Sequence, residues 1–344
     1  MTAPLRVGLV GFGLAGRVFH APFIAAHPDL RLAAVVTTSR ARAQSAKAAH
    51  PDATIVDGVD ALGRLEVDAL VLGGPPSTHR AQALWAVERD IAVIVDKPFM
   101  PCVSDALDVL ALADARGGRV TVFHNRRWDG DFRAVQALVA DPALGDVFEI
   151  ESSFEHWDPR PSPDWKLTLP VTRGGGVTMD LGSHLVDQAI LLSGPVVGVD
   201  ADIRGIRPGA GNDDVATLRL THLSGRRSTL RMSRLGNQPG VRFRVSGTAG
   251  SATVHGLDPQ ESLLESGVAV GELADAQART PRHALVRSES GDREDVLPAG
   301  DYAGFYATAA EWLRGRADAP VDPYEALEVL RVLERATSAL RLPR

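Results

Sequence analysis

The chain has 344 residues, more than one hydrophobic core ordinarily serves, so two domains are expected. Its composition, 44% hydrophobic and 23% charged with no long biased tract, is that of a globular protein. A formal net charge of −6, with both signs dispersed along the chain, argues against a nucleic-acid partner, which would require a basic face.

The single cysteine, Cys102, excludes an internal disulfide framework and fits a reducing, cytoplasmic compartment. No window holds the roughly eighteen consecutive apolar residues of a membrane span. The apolar run before the first glycines is too short for a signal peptide.

Short apolar runs alternate with helical patterns over the first 123 residues. The runs are 5–10, 30–36, 67–74, 91–95 and 119–123, and the helices are expected at 15–26, 40–49, 77–89 and 103–116. Ser77 and Ser104 are the expected N-caps, and Gly117 the C-terminal stop of the fourth helix. Such alternation predicts an open, doubly wound parallel sheet of the dinucleotide-binding type over residues 1–123. The pattern changes from residue 124. A helix at 131–140 leads to an alternating strand, "DVFEIESSFEHW", then a Pro-rich loop at 158–170 and a helix from Val177 to Leu192. Several strand-like runs between 196 and 256 have no helices between them, which implies antiparallel pairing. Residues 257–299 read as polar and irregular, and helices at 302–315 and 323–341 close the chain. Residues 124–344 therefore read as an α+β domain on a largely antiparallel open sheet.

The segment "VGLVGFGLAGRVFHAPF" carries Gly11, Gly13 and Gly16 in the spacing G-x-G-x-x-G, directly after a strand and opening a helix. Gly11 permits the tight turn, Gly13 lets backbone approach a pyrophosphate, and Gly16 lets helix pack on strand. Phe12, Leu14 and Ala15 complete the loop as cofactor-contacting backbone. An NAD site normally has an acid at the end of the second strand to bond the ribose 2′-hydroxyl. No acid occurs from Leu30 to Pro51; Thr38, Ser39 and Arg40 stand there instead, with Arg42 close by. Hydroxyl and guanidinium suit a 2′-phosphate, so NADP(H) is expected in preference to NAD(H), with NAD(H) as the second candidate. The competing reading has Arg40 capping its own helix or facing water.

In an open parallel sheet, ligands bind beyond the carboxyl ends of the strands. Two such ends carry polar groups: Gly74, Pro75 and His79 in "GGPPSTH", and Asp96 and Lys97 in "IAVIVDKPF". In the second domain, Asp180, His184 and Asp187 recur at i, i+4 and i+7 on an otherwise apolar helix, a polar stripe that suggests a lined cleft. Glycines 174–176 are expected to be a flexible lead-in. Gly182, costly inside a helix, is expected to admit a ligand or another backbone. The plainer alternatives are a surface lysine paired with Asp96, an Asp180 that stabilises the helix N-terminus, and a buried structural His184. Asp-x-x-x-His alone supplies too few ligands for a metal site.

These segments together resemble the glucose–fructose oxidoreductase / inositol dehydrogenase family, over nearly the whole chain and in motif order. "GFGLAGRVFHAPF" and "FHNRRWDGDF" are similar to its NADP-using scyllo-inositol dehydrogenase-like branch. "DKP" matches a Glu-Lys-Pro motif with Asp96 for Glu, and "GGGVTMDLGSHLVDQ" matches its Gly-rich Asp/His segment. The resemblance implies hydride transfer between nicotinamide C4 and a secondary alcohol or ketone of a sugar, polyol or cyclitol. It implies that Lys97 binds the substrate hydroxyl, that His184 accepts its proton and that Asp180 orients the pair. Asn125, Trp128 and Trp165 are candidate substrate contacts, with Trp157, Asp158, Arg160 and Lys166 near them. A homodimer or homotetramer formed through the open sheet face is also implied. The same fold admits an NAD-dependent glycoside hydrolase or a non-catalytic ligand-sensing regulator as alternatives. The departure at Gly74-Pro75-Pro76 removes an asparagine found in many relatives.

Overall fold

A computed structural model describes residues 3–158, 168–238 and 240–342, and its chain forms two compact units. The first holds residues 1–125 together with 260–276 and 301–327; the second holds 126–259, 277–300 and 328–344. The first break falls between Asn125 and Arg126, and two later segments, 260–276 and 301–327, belong to the first unit.

The first unit is built on six strands: β1 (Leu5–Val10), β2 (Leu30–Val36), β3 (Thr54–Val56), β4 (Ala69–Leu72), β5 (Ala92–Asp96) and β6 (Val120–Phe123). They lie in the order 3-2-1-4-5-6, all parallel, with the strand order reversing between β1 and β4. The interior strands are nearly unbroken apolar runs because helices cover both faces. Ala69 to Leu72 are fully enclosed, for example. The edge strand β3 has only three residues, exposed or half-buried, and its pattern is too short to register in the sequence.

A π-helical segment, Ala15–His20, leads into α1 (Ala21–Ala26), so the first expected helix is present with an irregular start. α2 (Arg40–Ala49), α3 (His79–Val87) and α4 (Val103–Arg116) follow. Gly117 ends α4 in the left-handed conformation, as expected (φ 63°). Ser77 and Ser104 are not caps: Ser77 lies in a short 3-10 turn before α3, and Ser104 falls inside α4 behind Cys102.

The helix Tyr302–Leu313 belongs to this unit through its aromatic face. Tyr306 stacks on Phe23 (5.8 Å between centroids) and Phe305 meets Phe123 edge-on at 4.7 Å. The buried Thr121 hydroxyl on β6 donates to the Val321 carbonyl at 2.8 Å and accepts from the Val321 amide at 3.2 Å.

The second unit has one mixed sheet of nine strands: β7 (Val147–Glu155), β8 (Val196–Arg204), β9 (Val215–His222), β10 (Arg227–Ser233), β11 (Phe243–Gly247), β12 (Gly250–Val254), β13 (His283–Ser288), β14 (Gly291–Val296) and β15 (Leu340–Arg341). Their order is 14-13-12-11-7-10-9-8-15. Most pairs are antiparallel; β7 runs parallel to β10, and β15 parallel to β8. Ile150, Val245, Ala252 and Val286 form one register row of the buried face. Phe132, Val135 and Leu138 of α5 (Gly130–Val139) pack in the same core. The region read as irregular, 257–299, contains β13 and β14 with two short helices. β14, "GDREDV", is an edge strand whose charges oppose further strand addition. Among the described residues, no helix is long and apolar enough to cross a membrane.

Thr121→Val keeps the shape of the side chain and leaves both Val321 groups without their partner. Equilibrium denaturation is expected to show a loss of about 1–3 kcal/mol, with the first unit losing protection of the 301–327 segment in hydrogen exchange.

Candidate active site

The first unit gathers its polar groups at the carboxyl edge of the sheet. The chain leaves β1 at Gly11, whose φ of +89° favours glycine, and the Gly11 amide donates to Val36. A Cβ on Gly16 would lie 2.1 Å from the Gly11 carbonyl oxygen, so the helix can start only where residue 16 has none. Gly13 differs: a Cβ there would meet only the Arg42 guanidinium carbon, at 4.0 Å. That open space over the turn is what a pyrophosphate requires. Phe12 is buried and packs edge-on against His50, so only its backbone faces the loop, while Leu14 is exposed.

At the end of β2, Ser39 Oγ accepts the Arg42 amide at 3.4 Å and caps α2. Thr38 and Arg40 are exposed, and Arg42, rather than Arg40, stands beside the glycine turn. Gly74 and Pro75 form the turn after β4, and Thr78 donates to the Pro75 carbonyl. His79, expected to contact cofactor, is fully buried. Its Nε2 lies 3.1 Å from the Gly74 carbonyl and its Nδ1 3.2 Å from that of Phe99, so it ties together the loops after β4 and β5. Burial holds this imidazole below its ordinary pKa, outweighing Asp96 and the carbonyls that favour the charged ring.

Lys97 follows β5 directly, and the Lys97–Pro98 peptide is cis. Asp96 Oδ1 accepts the Lys97 amide at 2.8 Å. Burial raises the Asp96 pKa, but His20, Lys97 and His79 outweigh it and keep this carboxyl below its usual range. His20 is fully buried behind Asp96, and Tyr306 behind His20. Neither was assigned a role from the sequence, although His20 lies within the glycine-loop motif.

In the second unit the polar helix is interrupted: α6 (Val177–Asp180) is followed by α7 (Gly182–Ser193). Gly182 admits neither ligand nor backbone. A Cβ there would crowd Met232 Sδ at 3.1 Å and Leu333 Cδ2 at 3.2 Å. The glycine run before α6 is close-packed rather than flexible. Gly176, at φ +91°, leaves no room for a Cβ beside Asp213, and Gly175 none beside the Leu169 carbonyl oxygen. Asp213 is completely buried, and its Oδ2 accepts from both the amide (2.7 Å) and hydroxyl (2.6 Å) of Thr178, capping α6 from 35 residues away. Burial raises its pKa.

Asp180 Oδ2 accepts from Arg234 Nη2 at 2.9 Å, and Asp158 lies 3.7 Å from the same guanidinium. His184 is 4% exposed and stacks on Phe154 with centroids 6.2 Å apart. Phe154 in turn carries the Arg126 guanidinium, 4.8 Å from its centroid. Asp187 is held by Arg127 in a bidentate pair, with Nε at 2.9 Å and Nη2 at 2.6 Å. The stripe of three therefore resolves into Asp180 and His184, with Asp187 structural. Behind it, Arg242 bonds Asp131, Ser152 and Gln188, all buried. Asn125 is buried, and Trp128 half-buried. Trp157 is 56% exposed. Trp165, Arg160 and Lys166 lie outside the described residues.

Two family models match the chain. Residues 5–124 match an oxidoreductase family with an NAD-binding Rossmann fold, and residues 132–253 match the GFO/IDH/MocA C-terminal domain. The chain belongs to the GFO/IDH/MocA oxidoreductase family. This member is 35% identical to the oxidoreductase YdgJ of Escherichia coli, over 97% of its own length and 96% of that protein. It is 26% identical to IolW, a scyllo-inositol 2-dehydrogenase (NADP(+)) of Bacillus subtilis, over 96% and 92% respectively. The solved structure of YPO2259 from Yersinia pestis superposes with a TM-score of 0.88 at 32% identity, covering 98% of this chain and 95% of that one. The family confirms the expected fold and an NAD(P)-binding oxidoreductase. The glycine turn fits the dinucleotide it implies.

An acid whose folded-state pKa is raised contributes stability that is complete below the unfolded value of about 3.9 and is lost as pH rises through the folded pKa. Asp213→Asn, which keeps an oxygen for Thr178, should remove that part of the pH dependence. Stability of the two chains measured from pH 4 to 8 is expected to converge at the acidic end and to favour the asparagine chain above it.

Proposed function

We propose that the protein is an NADP-dependent dehydrogenase acting on a secondary alcohol or ketone of a polyol, cyclitol or sugar. The observation that carries the reading is Lys97 at the carboxyl end of β5, in the same unit as a glycine turn whose open side adjoins Arg42. IolW, with NADP in its own name, supports both the cofactor and the substrate class.

The bound nicotinamide supplies the hydride chemistry. The protein's part is to bind and deprotonate the carbinol. The Lys97 ammonium donates a hydrogen bond to the substrate oxygen and stabilises negative charge as it develops. His184 accepts the hydroxyl proton, since imidazole titrates near neutral pH. Asp180, anchored by Arg234, orients His184 and balances charge. Arg42 takes the 2′-phosphate that the acid-free end of β2 leaves unopposed, with Thr38 and Arg40 exposed beside it. The same reading expects a homo-oligomer formed through the exposed face of the second sheet, where Glu151, Arg231 and Arg244 line a depression.

Two measurements test this. A screen of polyols and sugars should find turnover with NADP+, and Lys97→Ala or His184→Ala should lower it by roughly 10²–10⁴-fold with cofactor binding intact. Near-normal turnover in either variant would remove that residue from the mechanism. NADPH should bind more tightly than NADH, and Arg42→Ala should erase the difference; equal binding in the unaltered chain would overturn the preference.

A further inference from the structure

Within the second unit, two adjacent residues hold Asp180 by separate routes. Asp213 and Asp214, both completely buried, directly precede β9. The first route runs through the backbone of α6. The Asp213 carbonyl accepts the Val177 amide at 3.1 Å, and its Oδ2 accepts the Thr178 amide at 2.7 Å and hydroxyl at 2.6 Å. Its other oxygen fills the space beside Gly176, where a Cβ would lie 1.9 Å from Oδ1. The Gly176 carbonyl then accepts the Asp180 amide at 3.1 Å, and the Val177 carbonyl the Leu181 amide at 2.8 Å. Asp213 therefore places the turn from which the Asp180 side chain projects. The second route runs through Arg234, whose Nη2 donates to Asp180 Oδ2 at 2.9 Å. The Arg234 amide donates to the Asp214 carbonyl at 3.0 Å, and the Arg234 carbonyl accepts the Asp158 amide at 2.8 Å. Asp158 is fixed in turn by Arg207, whose Nη1 donates to its carbonyl at 3.1 Å. The Asp214 carboxylate holds Arg207, accepting its Nε at 2.7 Å and its amide at 2.9 Å. Asp214 thus bonds the Arg234 backbone on one side and, through Arg207, secures the strand on the other.

A helix that needs only a cap takes it from the residue just before its first turn. Here the cap comes from 35 residues away, so what it adds is location: the start of α6 is tied to the start of β9. We propose that Asp213 and Asp214 are positioning residues for Asp180, the first setting the turn that carries it and the second setting the guanidinium that its carboxylate meets. The use made of Asp180 rests on the function proposed above.

The full-length chain would be assayed for kcat and KM with NADP+ and the best polyol of the screen, scyllo-inositol first. NADPH affinity and hydrogen exchange, read peptide by peptide, complete the measurement. Asp213→Ala removes both side-chain bonds to Thr178 and is expected to lower kcat by about 10- to 100-fold, the scale on which small misplacements act. Exchange over 177–184 should rise several-fold, while NADPH affinity and exchange in β11 to β13 stay unchanged. Asp213→Asn keeps an oxygen for Thr178 and the same shape beside Gly176, and should restore most of kcat. Thr178→Val removes only the hydroxyl bond; it should show the same changes at smaller size, and it decides if Asp213→Ala fails to fold. Asp214→Asn weakens the hold on Arg207 and should lower kcat several-fold with exchange over 177–184 unmoved, since it acts through Arg234. Unaltered kcat in Asp213→Ala or in Asp214→Asn overturns the role of that residue. A loss in Asp213→Asn equal to that in Asp213→Ala, or exchange rising as much in β11 to β13 as over 177–184, overturns positioning by Asp213. Should no polyol or sugar turn over, the proposed function falls, and exchange alone judges the hold on Asp180: an unmoved 177–184 in Asp213→Ala overturns it.

Discussion

The first unit depends on the approach of its first helical turn to the carbonyl oxygen of Gly11, a contact possible only because residue 16 has no side chain. It lets the chain reverse at the carboxyl edge of β1 within a few residues, which leaves open space at Gly13, while the Gly13 carbonyl accepts the Arg17 amide. The geometry reaches further than the loop itself. Because the helical segment begins so near the strand, its sixth residue, His20, falls beneath the turn after β4 and behind the carboxylate at the end of β5. The glycine turn and the placement of His20 behind Asp96 thus share one steric constraint.

The second unit uses another device, the paired arginine. Asp180, Asp187 and Asp131 are each buried and each held by a guanidinium, from Arg234, Arg127 and Arg242 respectively. Buried ion pairs contribute little net stability, since desolvation offsets most of the attraction, but breaking one leaves a costly unpaired charge. Their use here is to fix rotamers, of Asp180 on α6, Asp187 on α7 and Asp131 on α5. Phe154 completes the arrangement, with His184 stacked on it and the Arg126 guanidinium also against its ring. His184 therefore sits in a polar cluster with little freedom to turn.

The legible parts were those written into local pattern. Apolar runs located five of the six parallel strands, and the glycine spacing located the dinucleotide turn. β3 escaped because three half-exposed edge residues make no periodic signal. The helices at 302 and 323 were visible as helices, but a hydrophobic face does not say which sheet it will meet. The return of the helix at 302 to the first unit, and the division of the helix at 323 between the two units, are facts of tertiary packing. Glycines 174–176 read as freedom from composition alone, whereas Asp213, distant in sequence, and the nearby Leu169 carbonyl show Gly176 and Gly175 to be packed tightly. The helix stripe grouped Asp180, His184 and Asp187 as equivalents. Sorting them required Arg127 and Arg234, which lie 60 and 54 residues away from their partners. His20 was hidden for a similar reason, since Tyr306 lies 286 residues beyond it.

The aromatic packing of Phe23 and Phe123 against Phe305 and Tyr306 has a consequence for how the protein is made. Synthesis releases all six parallel strands by residue 123, yet the side chains that close their core arrive nearly two hundred residues later. Until then the nascent first unit exposes an aromatic surface that native packing will cover. Contacts of such sequence separation close slowly, because loop entropy is lost before they form. The interval before these residues emerge is therefore when the core of the first unit is incomplete and its aromatic surface uncovered.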